Sequence, residues 1–289
     1  MTFDPEKILK SPPIETVSEH NVRDVILYAL GVGVGIESAT SAETLQFTYE
    51  ENIHVLPTMA TVLASPGFWA KDPRYGIDWK RVLHGEQFIQ FHKPLPAEGV
   101  LASVITIEDI YDKGPDKGAV MYSRREIYDK RSGDHLATER KSAFLRGDGG
   151  KGGRTDASPP VHPVPDRLFD LQVSMPTRED QALIYRLSGD YNPLHIDPDI
   201  AEQAKFPVPI LHGLCTYGVA GRALLRELAK GHVSKLNSMS CRFSAPVYPG
   251  ETIVTEIWKL EPGLAAFQCR VAERDILVLT HGRAGYSGD

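Results

Sequence analysis

The sequence predicts an α+β protein made of two copies of one unit, each a long helix followed by antiparallel strands that wrap around it. Three observations carry that prediction. A single composition shift, at residues 147–166, divides the chain into two pieces of domain size. Both pieces contain the same strand, proline turn, strand sequence, and each places a helix-like, small-residue segment ahead of its strands.

Composition is that of an ordinary folded chain: of 289 residues, 42% are hydrophobic and 24% charged, close to globular averages, which excludes disordered, collagenous and coiled-coil classes. The net charge is -6, from 32 Lys plus Arg against 38 Asp plus Glu, and no basic run could form a nucleic-acid footprint. DNA and RNA are therefore not expected as partners. Cys215, Cys241 and Cys269 are odd in number and far apart, which suits neither a disulfide framework nor a metal knuckle and fits a reducing compartment. The longest apolar stretch, Val25 to Ile36, has 12 residues, where a membrane span needs roughly 18 or more. The opening MTFDPEKILKSPP lacks the pattern of a signal peptide and the closing GYSGD is no peroxisomal address, so a cytoplasmic location is expected.

Residues 1–146 form the first expected unit. Its helix is expected at Leu56–Ser65 (LPTMATVLAS), with Pro57 suited to a first turn. Residues 147–166, GDGGKGGRTDASPPVHPVPD, read as a Gly/Pro-rich linker. Residues 167–289 form the second unit. Its helix is expected from about His212 to Lys230, lined by Gly213, Gly218, Ala220, Gly221 and Ala223, with Gly231 as stop signal. A helix with so many small residues is expected to be enclosed by a sheet. The repeat aligns Phe91 to Gly99 (FHKPLPAEG) with Phe243 to Glu251 (FSAPVYPGE), and Tyr28 to Gly31 with Tyr185 to Ser188. Each proline turn is followed by a β-branched segment that reads as a long strand.

Chemistry is concentrated between Tyr185 and Gly213. Asp190, Asn192 and His195 fall within six residues around Gly189 and Pro193, and Pro193 holds Asn192 extended. A carboxylate beside an imidazole is the equipment of general acid–base catalysis, since one group can take a proton while the other gives one. The spacing alone leaves ordinary loop chemistry open. His195, Asp197 and Asp199 at alternate positions could also be read as hard-metal ligands, against which stand Pro198 and the lack of a second cluster.

The run SGDYNPLHIDP followed by PILHG resembles the signature of the MaoC-like, (R)-specific enoyl-CoA hydratases (hydratase 2), including the hydratase unit of peroxisomal multifunctional enzyme type 2. The likeness covers nearly the whole chain: YALGVG, VLHGEQ, KPLP and DKG in the first half and RFSAPVYPGE in the second are similar to the same enzymes. The resemblance implies a double hotdog, two fused hotdog units of which only the second keeps the catalytic loop. Where that loop reads SGDYN, the first copy has GVGVG, Gly31 to Gly35, with neither acid nor histidine.

Residue by residue, the resemblance implies that Asp190 and His195 form the acid–base pair that activates a water. Asn192 would orient it, and the backbone N–H of Gly213 would serve as oxyanion donor. It implies acyl-CoA contacts for His84, Gly85, Lys113, Tyr191 and Phe243, with no metal and no cofactor other than the CoA of the substrate. Glu50 is expected to be structural. Phe68, Trp69 and Trp79 are read as core, with an acyl pocket in the first unit as the alternative. The implied activity is reversible hydration of trans-2-enoyl-CoA to (3R)-3-hydroxyacyl-CoA. A hotdog thioesterase and a non-catalytic acyl-CoA-binding hotdog protein are the rival readings. A fused pair of units already imitates a homodimer of single ones, so further dimerisation is optional.

Overall fold

The computed structural model describes residues 2–288. Ten strands form one antiparallel sheet in the order β1-β3-β4-β5-β2-β7-β10-β9-β8-β6. In the first half these are β1 (Ile14–His20), β2 (Val82–Phe91), β3 (Gly99–Asp112), β4 (Ala119–Asp129) and β5 (His135–Leu145). In the second they are β6 (Leu171–Pro176), β7 (Leu236–Phe243), β8 (Thr252–Glu261), β9 (Leu264–Val271) and β10 (Ile276–Tyr286). The helices are α1 (Pro5–Leu9), α2 (Val22–Gly31), α3 (Ala42–Thr48), α4 (Gln181–Tyr185), α5 (Pro198–Gln203) and α6 (Gly213–Ala229).

The two halves of the sheet have the same internal strand order and meet where β2 pairs with β7, with Glu86 opposite Arg242 and Ile89 opposite Met239. These are the strands that end in the repeated Phe91 and Phe243 segments, so the sequence repeat is a structural one. Tyr28 and Tyr185, which the repeat also aligns, pack ring against ring with centroids 6.0 Å apart. This is the expected double hotdog.

Helix α6 is the enclosed helix of the second half and ends as expected. Lys230 is left-handed with φ 50, and the Gly231 N–H donates to the Leu225 carbonyl. Its small face admits neighbours that larger residues would push away. A Cβ on Gly218 would lie 2.5 Å from Val32 Cγ1, and one on Gly221 would lie 2.5 Å from Thr58 Cγ2.

The first half departs from expectation. Instead of a long helix over Leu56–Ser65 there is one short 3₁₀ helix, Pro57–Thr61, wedged against Gly221 through Thr58. Its run of Thr58, Thr61 and Val62 is β-branched and favours a long helix poorly. The carbonyls it leaves free are taken by a side chain. Arg125 donates from Nη1 to Leu63 and from Nη2 to Ala60 and Thr61, at 3.0, 2.7 and 3.1 Å, while its Nε lies 2.7 Å from Glu139 Oε2. A buried ion pair thus occupies space that a hydrophobic helix would have filled.

The segment between the halves is no loose tether. The Asp112 carboxylate accepts from the N–H groups of Gly114, Gly150 and Gly152 at 2.8, 2.8 and 3.3 Å. A Cβ on Gly149 would meet the Gly114 carbonyl at 2.1 Å, so its glycines are required by close packing on the β3–β4 turn.

Candidate active site

The candidate site lies where the loop after α4 meets the start of α6. The loop is shaped by its own polar side chains. Asp190 accepts from the Asn192 N–H at 3.2 Å, and Asn192 Oδ1 caps the 3₁₀ helix Pro193–His195 by accepting from the Leu194 N–H at 3.2 Å. Among the described residues the amide nitrogen of Asn192 has no hydrogen-bond partner. His195 is buried, and its Nδ1–H donates to the Ile210 carbonyl at 2.8 Å, which leaves the Nε2 lone pair free.

A second histidine, His212, completes the group. Its ring stacks on His195 with centroids 3.7 Å apart, and its Nε2–H donates to the Asp190 carbonyl at 3.1 Å. One polar atom from each of Asp190, His195 and His212 lies within 4.8 Å of the others. Two partners of a single tetrahedral water stand roughly 4.6 Å apart, so this spacing suits one water held between acid and imidazole. His212 sits directly before the predicted Gly213, yet sequence reasoning gave it no role. Its signal was only the HG pair at a helix start, and its function depends on a stacking partner 17 residues away. Asp197 does not join the site: its carboxylate caps α5 by accepting from the N–H groups of Asp199 and Ile200, which removes the alternating His195, Asp197, Asp199 ligand set.

Gly213 opens α6, and no side chain caps that end. Its N–H finds no acceptor among the described residues, and Gly213 is exposed. A Cβ there would stand 3.3 Å from Phe243 Cε1. Phe243 in turn packs on His84, with ring centroids 4.7 Å apart. The structure therefore brings together Asp190, Asn192, His195, Gly213, Phe243 and His84. Tyr191 stands at the rim, 58% exposed, with the Arg186 guanidinium 4.9 Å above its ring.

Other expected contacts fall elsewhere. Gly85 serves a β-bulge: a Cβ would come within 2.7 Å of Ser142 Oγ, so its role is to let β2 and β5 approach and to aim His84. Lys113 lies over Tyr111 at 5.4 Å in the β3–β4 turn. Glu50 is exposed in a turn. Of the three aromatic residues read as core, Trp69 packs against the smaller apolar cluster, whereas Phe68 and Trp79 form an exposed edge-to-face pair 6.2 Å apart.

Burial holds the three imidazoles neutral. It lowers His195 from its ordinary value, lowers His212 to about 4 with help from the neighbouring His195, and lowers His84 to about 4 with help from Lys141. A depressed histidine means that the unfolded chain binds more protons below pH 6.5. The stabilisation is complete above 6.5 and is lost as pH falls toward about 4. Urea unfolding at pH 7 and pH 5 should show the loss, and His212→Gln should flatten the dependence. An unaltered slope in that variant would contradict it.

Two family matches divide the chain as the repeat does. Residues 18–147 match the MFE-2 hydratase 2 N-terminal domain, and residues 161–278 match the MaoC like domain. The 3-hydroxyacyl-thioester dehydratase Y of Mycobacterium tuberculosis is 47% identical over 95% of this chain and 94% of its own. The chain belongs to the MaoC-like hydratase family. Among its MaoC-like relatives, the peroxisomal enoyl-CoA hydratase 2 of Arabidopsis thaliana is 38% identical over 98% of this chain and 94% of its own. The crystal structure of a MaoC-like dehydratase from Phytophthora capsici superposes with a TM-score of 0.86 at 37% identity, covering 98% and 99% of the two chains.

Proposed function

We propose that the protein is an (R)-specific enoyl-CoA hydratase, adding water reversibly and on one face to trans-2-enoyl-CoA to give (3R)-3-hydroxyacyl-CoA. The observation that carries this reading is the carboxylate of Asp190 and the neutral imidazole of His195 at one-water spacing, beside the unclaimed N–H of Gly213. The water between the pair loses a proton to it as oxygen attacks C3. The proton returns to C2 on the same face. Negative charge gathers meanwhile on the thioester oxygen, where the Gly213 N–H and the positive end of α6 stabilise it.

Asn192, through its free amide, orients the water, and Phe243 and His84 flank the enoyl group. Tyr191 lies along the thioester arm at the rim, and the acyl chain runs past His84 toward the first unit. Such chemistry is acid–base throughout and calls for no cofactor beyond the CoA of the substrate. We place it in the cytoplasm, with a homodimer as an optional assembly. Among the described residues no helix is long and apolar enough to cross a membrane.

The test is incubation with trans-2-butenoyl-CoA, following enoyl absorbance and free thiol together, with chiral analysis of the product. Loss of absorbance with an (R) product and no thiol is expected. Thiol release with absorbance intact would indicate a thioesterase, and no turnover at all would indicate a binding protein.

A further inference from the structure

The interior of the first unit is polar where a fatty chain would need it apolar. Two apolar clusters are separate, one spanning both halves around α6 and one in the first half around Phe3, Tyr75 and Ile110. Polar side chains occupy neighbouring positions on the three central strands. Gln87, Lys141 and Ser123 form one cross-strand row, and the next row holds Glu139 and Arg125. Alternation puts both rows on the face toward α6, since Arg125 reaches the carbonyls of the 3₁₀ helix.

Arg125 and Glu139 are each 2% exposed and form an ion pair, although Arg125 Nε and Glu139 Oε2 lack hydrogen-bond geometry. Glu139 Oε1 also accepts from Gln87 Nε2 at 3.0 Å. Polar groups without partners remain beside this pair. Gln87 is fully buried, yet its Oε1 has no partner. The Lys141 ammonium forms no ion pair with any carboxylate among the described residues. Glu139 is near enough to favour its charge, but burial outweighs this and pulls the ammonium below its ordinary value.

Lys141 is also within reach of the catalytic centre. It lies two residues along β5 from Ala143, which pairs with His84 across the β2–β5 ladder. Phe243 packs on His84 and stands 3.3 Å from where a Cβ on Gly213 would lie, and Phe243, His84 and Lys141 are all half-buried, so a line of half-buried side chains runs from Gly213 to Lys141. A methyl-ended chain laid along it would strip water from a cation and replace it with nothing. A carboxylate would supply the missing counter-charge.

We propose that Lys141 is a specificity-determining residue that receives a carboxylate at the distal end of the acyl chain, so that carboxy-ended enoyl-CoAs are preferred to methyl-ended ones. This rests on the hydratase reading. The experiment measures kcat/KM for matched pairs of trans-2-enoyl-CoAs of increasing length, identical except for a terminal carboxylate or methyl group, with trans-2-butenoyl-CoA alongside. At the best-fitting length the wild type should favour the carboxylate at least tenfold. Lys141→Leu should lose that preference, chiefly through KM, and Lys141→Arg should keep most of it.

A wild-type ratio at or below one overturns the inference. So does a ratio unchanged in Lys141→Leu, because a merely structural lysine would lower both rates together. If Lys141→Leu fails to fold, the wild-type ratio and Lys141→Arg still decide. Failure to hydrate any substrate, butenoyl-CoA included, is a different result that removes the hydratase reading itself.

Discussion

Asp190→Asn should fold as the wild type does and hydrate enoyl-CoA about 10²- to 10⁴-fold more slowly. The structure explains why the fold survives. Asp190 is exposed, and its structural duties are to accept from the Asn192 N–H through Oδ1 and from His212 through its backbone carbonyl. An asparagine carbonyl performs the first of these, and the second involves no side chain. What the substitution removes is the ability to take and return a proton while the other half of the pair, His195, is held neutral by burial. The loss should appear in kcat, with KM little changed, because no binding contact is deleted. Steady-state kinetics with unfolding midpoints for both proteins make the comparison. Activity within threefold of wild type would remove Asp190 from the chemistry.

Local order in the sequence accounts for what was legible before the structure. The candidate catalytic loop is built by contacts two residues apart, Asp190 with Asn192 and Asn192 with Leu194, so its shape is written in consecutive residues. The repeat was legible for a similar reason: a proline turn between strands leaves a compact signature, and Phe91 and Phe243 mark β2 and β7 correctly.

What escaped depends on partners distant in sequence. Arg124 and Arg125 are adjacent and chemically alike. Alternation sends the first to surface carboxylates and the second into the interior, and nothing in a strand with charges on both faces says which is which. The collapse of the Leu56–Ser65 helix follows from that hidden arginine and from Gly221 on another element. His212 was overlooked because its value is a stack on His195. Gly85 and Lys113 lie in recognisable motifs, but a motif carries fold requirements together with contacts. Here the glycine serves a bulge and the lysine a turn.

Gly213→Pro should reduce kcat about 10²- to 10³-fold while leaving the fold in place, the loss expected on removing one oxyanion donor. Position matters here. Gly213 is the first residue of α6, where proline is favoured, since an N–H at that position has no helical acceptor. The preceding His212 has φ -58 and ψ 133, an extended conformation of the kind proline imposes on its neighbour. The substitution therefore deletes the donor at a place where the helix does not use it. It also adds a Cβ near Phe243 Cε1, at 3.3 Å, and this steric effect needs its own measure. Gly213→Ala supplies it, because alanine adds the same carbon and keeps the N–H. If the donor carries the catalysis, proline should be at least tenfold slower than alanine at equal stability. Equal rates in the two variants would assign the effect to the displaced Phe243 ring and leave the thioester oxygen to another donor.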